Sequence, residues 1–310
     1  MLTRTDIQEN FETLQSEYVP KSHGRLNEVF SSGSTGMPVR VVKSGLAQVF
    51  WLAVTARFYL WNGDDMGLKY GAIKTQKNAE TAKYPQGLRS REWGAGFPFA
   101  TGPAVILNLN AKTDEQAEWL SRAKPNYLLS YPSILEALAK HCLHKVIELP
   151  SLSRVHSMSE VLRPEVRHVC REAWDVPIYD NYSTEETGYI ALQCPQSEKF
   201  LVQPEVVHAE FLNDAGNDCS EGEVGNVIVT PMHNFAMPLV RYEVTIMPKW
   251  AAKPRAVGNI RLSTGCWGGR AIWCACRTDK PTIRIIKIFS TALIMWCSSR
   301  SSAAPRRSSG

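Results

Sequence analysis

The sequence predicts an α/β fold built on a largely parallel sheet, and three observations carry that reading. Up to residue 244, extended and helical periods alternate in units of about 25 residues. Composition is that of an ordinary globular protein, 44% hydrophobic and 21% charged over 310 residues, long enough for one large domain or two ordinary ones. Punctuation falls where helices should begin, as with Pro164 opening "RPEVRHVCREAW".

The elements follow in order. A small-residue loop, "SSGSTGMPV" (31–39), leads into an extended run, "VRVV" (39–42). The apolar stretch "LAQVFWLAVTARFYLW" (46–61) is interrupted by Gln48, Thr55 and Arg57, so it reads as a buried amphipathic helix and is too short to span a bilayer. "TDEQAEWLSRA" (113–123) has helical spacing, "NYLLSYP" (126–132) is a short buried strand, and "SILEALAKHCL" (133–143) is helical. "SRVHSMS" (153–159) is extended, 163–174 helical, and "VPIYDNYS" (176–183) one more strand. "EVVHAEFLN" (205–213) and "GEVGNVIVTP" (222–231) alternate like strands of an antiparallel or mixed sheet.

The start, "MLTRTDIQENF", has no apolar core of the kind a secretory signal needs, so cytoplasmic residence is the expectation. The scattered Cys142, Cys170, Cys194 and Cys219 lack metal-ligand spacing and read as reduced structural thiols.

The chemistry begins at residues 31–39. Glycines let successive backbone N–H groups point inward at a phosphate, and Ser and Thr hydroxyls add donors. The stretch is neither GxxxxGK[ST] nor GxGxxG, because Met37 follows Gly36 where a Walker loop carries Lys. It resembles the phosphate loop of the adenylate-forming superfamily, which typically reads SSGTTGxP. With "LTRTDIQENF" and the later motifs, the resemblance is greatest to the phenylacetate–CoA ligase-like branch. That resemblance implies ATP phosphate contacts at Ser31, Ser32, Gly33, Ser34, Thr35 and Gly36, with Mg²⁺ and coenzyme A as further participants and a carboxylic acid as substrate. It implies a large N-terminal adenylation domain with mixed and parallel sheets and flanking helices.

"YDNYSTEETGY" (179–189) follows a predicted strand, where an α/β sheet places ligand-facing loops. Taken alone the Glu185–Glu186 pair reads first as a solvated acidic turn, and beside the small-residue loop the ligand-facing reading takes precedence. The family motif resembles Y-G-x-T-E, with the aromatic on adenine and the carboxylate on Mg²⁺. Matching Thr184 and Glu185 gives the catalytic pair and puts the metal on Glu185, with Tyr182 lining the adenine pocket. Matching Tyr182 moves the carboxylate to Glu186. "HSMSEVLRPEVR" (156–167) resembles a segment passing beside the adenine, which implies contacts at Ser159 and Glu160; the same residues serve as a strand end followed by a helix cap. "GEVGNVIVTPMHNFAMPLVRYEV" (222–244) resembles the stretch ending R-Y-x-x-G-D, which implies nucleotide contact at Arg241, with Tyr242 beside it. The Gly-Asp is missing, since "TIMPKW" follows.

From Thr245 the character changes. Residues 245–310 hold 12 Lys and Arg against one acid, Asp279, so the tail is +11 and residues 1–244 are −6. Regrouped by one base, the codons for "TIMPKW" permit D-Y-A-E-V-G, and the same shift makes 253–258, 275–284 and 293–297 family-like. The expectation is therefore a partial AMP-binding domain over 1–244 and a frameshifted basic tail over 245–310 without a native fold, replacing the hinge and small C-terminal domain. Only 30 residues precede the loop, fewer than the family places there, so a chain incomplete at both ends is expected, with little or no ligase activity. Two other readings stay open: adenylyl transfer to an acceptor other than CoA, and a non-catalytic nucleotide- or nucleic-acid-binding protein with a genuine basic tail.

Overall fold

The computed structural model describes residues 1–31, 38–76, 78, 80–94, 97, 99–220, 223–244 and the backbone of 250–251. The chain opens with α1 (Arg4–Glu9), then a hairpin of β1 (Asn27–Phe30) and β2 (Arg40–Lys43) whose connection is the small-residue loop. Ser44 caps α2 (Gly45–Trp61), which lies within one residue of the predicted helix.

A six-stranded sheet follows: β3 (Tyr70–Lys74), β4 (Leu88–Ser90), β5 (Ala104–Asn108), β6 (Tyr127–Ser130), β7 (Arg154–Ser157) and β8 (Ile178–Tyr179), in the order β4-β5-β3-β6-β7-β8. All pairs are parallel except β4–β5. The crossovers are α3 (Thr113–Ala123), α4 (Pro132–Lys145) and α5 (Pro164–Trp174). Period-2 alternation on the strands explains the two faces. Ile73, Leu107, Leu128 and Val155 point to α3, α4 and α5, where Leu120, Leu135, Leu138 and Val166 complete one core. Tyr70, Ala72, Ala104 and Tyr127 point the other way and pack with Ala56 and Tyr59 of α2.

The remaining strands build a second, antiparallel half. β9 (Asn181–Thr184), β10 (Gly188–Gln193) and β11 (Phe200–Val202) form one sheet. β12 (Val207–Leu212), β13 (Val224–Pro231) and β14 (Tyr242–Val244) form another, to which β15 (Trp250–Ala251) adds an edge pair on β13. Their shared core holds Ile7, Val39, Val41, Tyr182, Ile190, Val229 and Tyr242. Phe58 and Val54 of α2 pack on Tyr189 and Leu192 of β10, so α2 is the seam between the halves.

The run 176–183, read as one strand, is two. It breaks at Asp180, and β8 belongs to the parallel sheet while β9 belongs to the antiparallel one. The mixed α/β class stands as expected. Cys142, Cys170, Cys194 and Cys219 are all buried. Among the described residues no helix is long and apolar enough to cross a membrane.

One backbone contact tests the packing of the loop before β3 against the loop before β5. The Gly102 N–H donates to Met66 O at 2.7 Å, and a Cβ at Gly102 would lie 2.2 Å from Gly67 O. Neither backbone can give way cheaply. Gly102→Ala is expected to lower unfolding free energy by about 2 kcal/mol in urea titration; an unchanged midpoint would contradict this packing.

Candidate functional site

The site is assembled around the neck of the small-residue loop. Ser31 is buried, its N–H donates to Val39 O at 2.8 Å, and its Oγ accepts from Val39 N–H at 2.9 Å. These two bonds close the neck between β1 and β2. Ser32, Gly33, Ser34, Thr35 and Gly36 lie outside the described residues.

Arg4 reaches the same neck. Its Nη2 donates to Ser31 Oγ at 3.4 Å, and its Nη1 stands 3.6 Å from Glu186 Oε1. The sequence reason is local. Thr3 and Asp6 form a capping box, Thr3 Oγ1 accepting from Asp6 N–H and Asp6 accepting from Thr3 N–H at 2.7 Å. Leu2 is bonded to the β14 strand through Arg241 O and Glu243 N–H, and Ile7 is fully buried. The N-terminal segment is thus clamped at both ends, with Arg4 between.

The turn joining β9 to β10 carries the acidic pair. Thr184 is buried, and its hydroxyl accepts from Thr187 N–H at 3.0 Å and meets Thr187 Oγ1 at 2.9 Å, which closes the turn. Gly188, at φ +85°, supplies the left-handed step that brings the chain back into β10. Glu185 is exposed. Glu186 is 1% exposed, and among the described residues neither of its carboxylate oxygens accepts a hydrogen bond. The structure therefore separates two residues that look equivalent in sequence.

Two lysines flank this turn. Burial pushes the ammonium of Lys43, at the end of β2, below its ordinary value, and the charges of Glu185 and Glu186 oppose that shift. Lys74, the last residue of β3, is pushed down by burial and opposed by Glu185. Sequence reasoning missed Arg4, Lys43 and Lys74. Lys74 had a usable signal, since it closes a strand of a parallel sheet, where ligand-facing residues collect.

The other expected residues sit as follows. Tyr182 is buried in the core with Val39, Ile190 and Tyr242, and burial raises its phenol well above the ordinary value. Ser159 is exposed with a left-handed φ of 65° just beyond β7. Glu160 accepts from Ser133 N–H and Oγ–H, both at 2.9 Å, so it caps the first turn of α4. The cap expected on the helix that follows is not made, since α5 has no side-chain cap; Glu160 caps the preceding helix instead. Arg241, at φ 52°, pairs its Nε with Glu210 at 3.1 Å and is half exposed. Thr184, Glu186, Ser31 and Arg4 come together; Glu160 and Arg241 are engaged elsewhere.

Beneath the turn, β8 hands over to β9 through Asp180. Its Oδ1 accepts from Ser157 Oγ–H at 2.6 Å and from Asn181 N–H at 2.9 Å, while Asn181 Nδ2 donates to Ser157 O at 3.0 Å. Burial raises the Asp180 carboxyl to about 6, against the lowering by Ser157 and Arg167.

No family model matches the chain. It is 24% identical over 214 residues to an uncharacterized acyl–CoA ligase, YhfT, of Bacillus subtilis (strain 168), across 67% of this chain and 41% of that one. It is 25% identical over 225 residues to the mitochondrial acyl-coenzyme A synthetase ACSM5 of Homo sapiens, across 67% and 35%. A crystal structure of 2-hydroxyisobutyryl-CoA ligase, with 2-HIB-AMP and CoA in the thioesterification state, superposes with a TM-score of 0.58. That match has 20% identity and covers 78% of this chain and 52% of the other. The chain shares the fold of about half of that ligase.

Relatives in sequence and neighbours in fold thus agree, and both support the adenylate-forming superfamily. The chain spans less than half the length of the curated relatives it matches. In this fold the acidic turn follows the edge of the parallel sheet, and Asp180 is the joint between them. A carboxyl whose folded value is raised gives stability that is full below its ordinary value of 3.8 and lost as pH rises through about 6. Asp180→Asn, which keeps an acceptor for Ser157, is expected to stabilise the fold above pH 6 by on the order of 1 kcal/mol. The gain disappears near pH 4. Thermal melts at pH 4 and pH 7.5 check it, and equal gains at both would contradict it.

Proposed function

We propose that residues 1–244 are the nucleotide-handling part of an AMP-forming acid–CoA ligase of the phenylacetate–CoA ligase-like branch, acting on an aryl carboxylic acid. In the reaction a carboxylate oxygen attacks the α-phosphorus of ATP, pyrophosphate leaves, and the acyl group of the adenylate passes to the thiol of CoA with release of AMP. The observation that carries this reading is the junction of Arg4, Ser31 and Glu186, which puts a cation and an open carboxylate at the neck of the glycine-rich loop.

Catalysis of this kind is positioning plus electrostatic stabilisation. Backbone N–H groups of Ser32 to Gly36 would hold the β- and γ-phosphates, and the Arg4 guanidinium would supply the charge that Met37 does not. Thr184 keeps the acidic turn closed through Thr187. The turn carboxylates fit Mg²⁺, which binds through one or two carboxylates plus phosphate oxygens. Glu185 is the residue the family motif selects in the Thr184 register; Glu186 is the one with buried oxygens that accept nothing, and it fits better. When bound, the metal would screen phosphate charge. Tyr182 would hold β9 against the core below the adenine, Ser159 would turn the chain beside it, and Arg241 would fix the corner from β13 to β14.

The ribose carboxylate, hinge and mobile domain are not legible in residues 245–310. The chain as written is therefore expected to show ATP–pyrophosphate exchange at background with a panel of aryl acids. A chain carrying the shifted reading frame after Val244 is expected to exchange with at least one of them. Robust exchange by the chain as written would refute the impairment, and silence from the restored chain would refute aryl-acid activation. In the restored chain Glu186→Gln should weaken ATP·Mg²⁺ binding at least about tenfold by calorimetry, or roughly 1.4 kcal/mol, with Glu185→Gln weaker in effect.

A further inference from the structure

A cavity of about 190 Å³ lies along the open edge of the six-stranded sheet, between α5, edge strand β8 and the turn from β10 to β11. Its floor is apolar: Val176 and Ile178 are buried there, with Pro177 and Pro195 beside them. It stands apart from the junction of Arg4, Ser31 and Glu186. Strand β10 starts at Gly188, next to the acidic turn, and ends at Gln193, in the cavity wall. Its length separates the two by roughly 17 Å at about 3.4 Å per residue.

The side chains that face this space are nearly all donors. Arg167 donates from Nη1 to Ile178 O at 2.8 Å and from Nη2 to Gln193 Oε1 at 2.7 Å, with its Nε turned to the exposed Glu198 at 3.8 Å. Arg171 follows one turn later on the same helix face, exposed at the cavity mouth. Among the described residues nothing accepts from its guanidinium or pairs with it. Gln193 is 4% exposed; its Nε2 donates once, to Ser197 O at 3.4 Å, and has a second N–H to give. Ser197 Oγ accepts from Lys199 N–H at 3.4 Å and keeps its own hydrogen. Burial holds the Arg167 guanidinium below its ordinary value; Asp180 and Glu198 oppose that, and the like charge of Arg171 adds to it. Two cations at this spacing repel, and Glu198 is the one carboxylate in the lining to set against them.

We propose that this cavity binds a small organic phosphate monoester, its phosphate bridging Arg167 and Arg171 and its carbon chain lying on the apolar floor. The proposal is independent of the ligase reading. Chemistry selects the ligand class. A donor-lined space calls for a ligand that only accepts, and a cation or a neutral molecule leaves the two guanidiniums repelling each other. A carboxylate brings two oxygens and one charge, whereas a phosphate monoester brings three acceptor oxygens and nearly two charges, which matches two guanidiniums. The volume is a little above the roughly 150 Å³ that takes a benzene ring, so it encloses a phosphate with a few carbon atoms and leaves a nucleotide mostly outside. The ligand sits directly behind the Asp180 joint, because Gln193 Oε1 accepts from both Arg167 and the Asp180 N–H.

The test is isothermal titration of the full chain, at fixed ionic strength, with glycerol 3-phosphate, glycerol and succinate. Glycerol 3-phosphate is expected to saturate a single site and glycerol to show no binding. Succinate, a dianion without a phosphate, is expected to bind at least about fivefold more weakly. Arg171→Gln is expected to weaken glycerol 3-phosphate at least about tenfold. Glu198→Gln is expected to tighten it about threefold, an effect that a purely structural role for this turn does not produce. Glu186→Gln, at the far end of β10, is expected to leave it unchanged. Circular dichroism of each variant guards against loss of fold. Absence of saturable binding, or equal binding by Arg171→Gln, overturns the proposal. A loss caused by Glu186→Gln and not by Arg171→Gln places the phosphate at the small-residue loop and overturns it as well. Equal binding of succinate overturns the assignment to a phosphate.

Discussion

A buried carboxylate with a guanidinium beside it organises this half of the molecule. Glu186 is removed from water, accepts no hydrogen bond from the described residues, and has Arg4 at 3.6 Å. At an effective dielectric of about 20 that attraction is roughly 4–5 kcal/mol, the same order as the cost of taking the two charges out of water. The pair is therefore worth more as a placement device than as surplus stability. To put Arg4 there the chain builds a capped helix, pairs Leu2 with β14, and sinks Ile7 into the core. Through Ser31 the same guanidinium reaches the neck of the glycine-rich loop.

The two halves of the fold contribute different things. The parallel sheet delivers strand ends, Lys74 among them, to one edge. The antiparallel half delivers the acidic turn and, through α2, the aromatic side chains packed next to it. Asp180 is where one becomes the other, and its network with Ser157, Asn181 and Gln193 fixes the angle at which β9 leaves. A carboxyl held there at a raised value costs stability at neutral pH, which marks the joint as one kept for geometry.

Helices α3 to α5 were legible in the sequence because each has one apolar face; α2 was legible from the length of its apolar run, though it is buried on two faces and not one. The strands were less so. β3 and β5 are short and buried on both faces, with no alternation to read. The run through 176–183 stays strand-like in composition across Asp180, so nothing local announces that it changes sheets. Motif spacing pointed to the loop and the acidic turn and chose Glu185 over Glu186. Burial, which spacing does not report, leaves Glu185 exposed and Glu186 buried. Arg4 was out of reach for another reason: its partners are 27 and 182 residues away, and a lone Arg in a first turn carries no pattern. Glu160 shows another limit: a cap read for the helix that follows is made on the helix before it, 27 residues back in the chain.

The most direct measurement is a double-mutant cycle on stability, with Arg4→Met, Glu186→Gln and the two combined. If Glu186 is the buried charge around which the site is held, removing Arg4 alone strands it and should cost about 3 kcal/mol or more. The second substitution should recover much of that loss, giving a coupling of about 2 kcal/mol. Additive losses, with no coupling beyond error, would contradict the account.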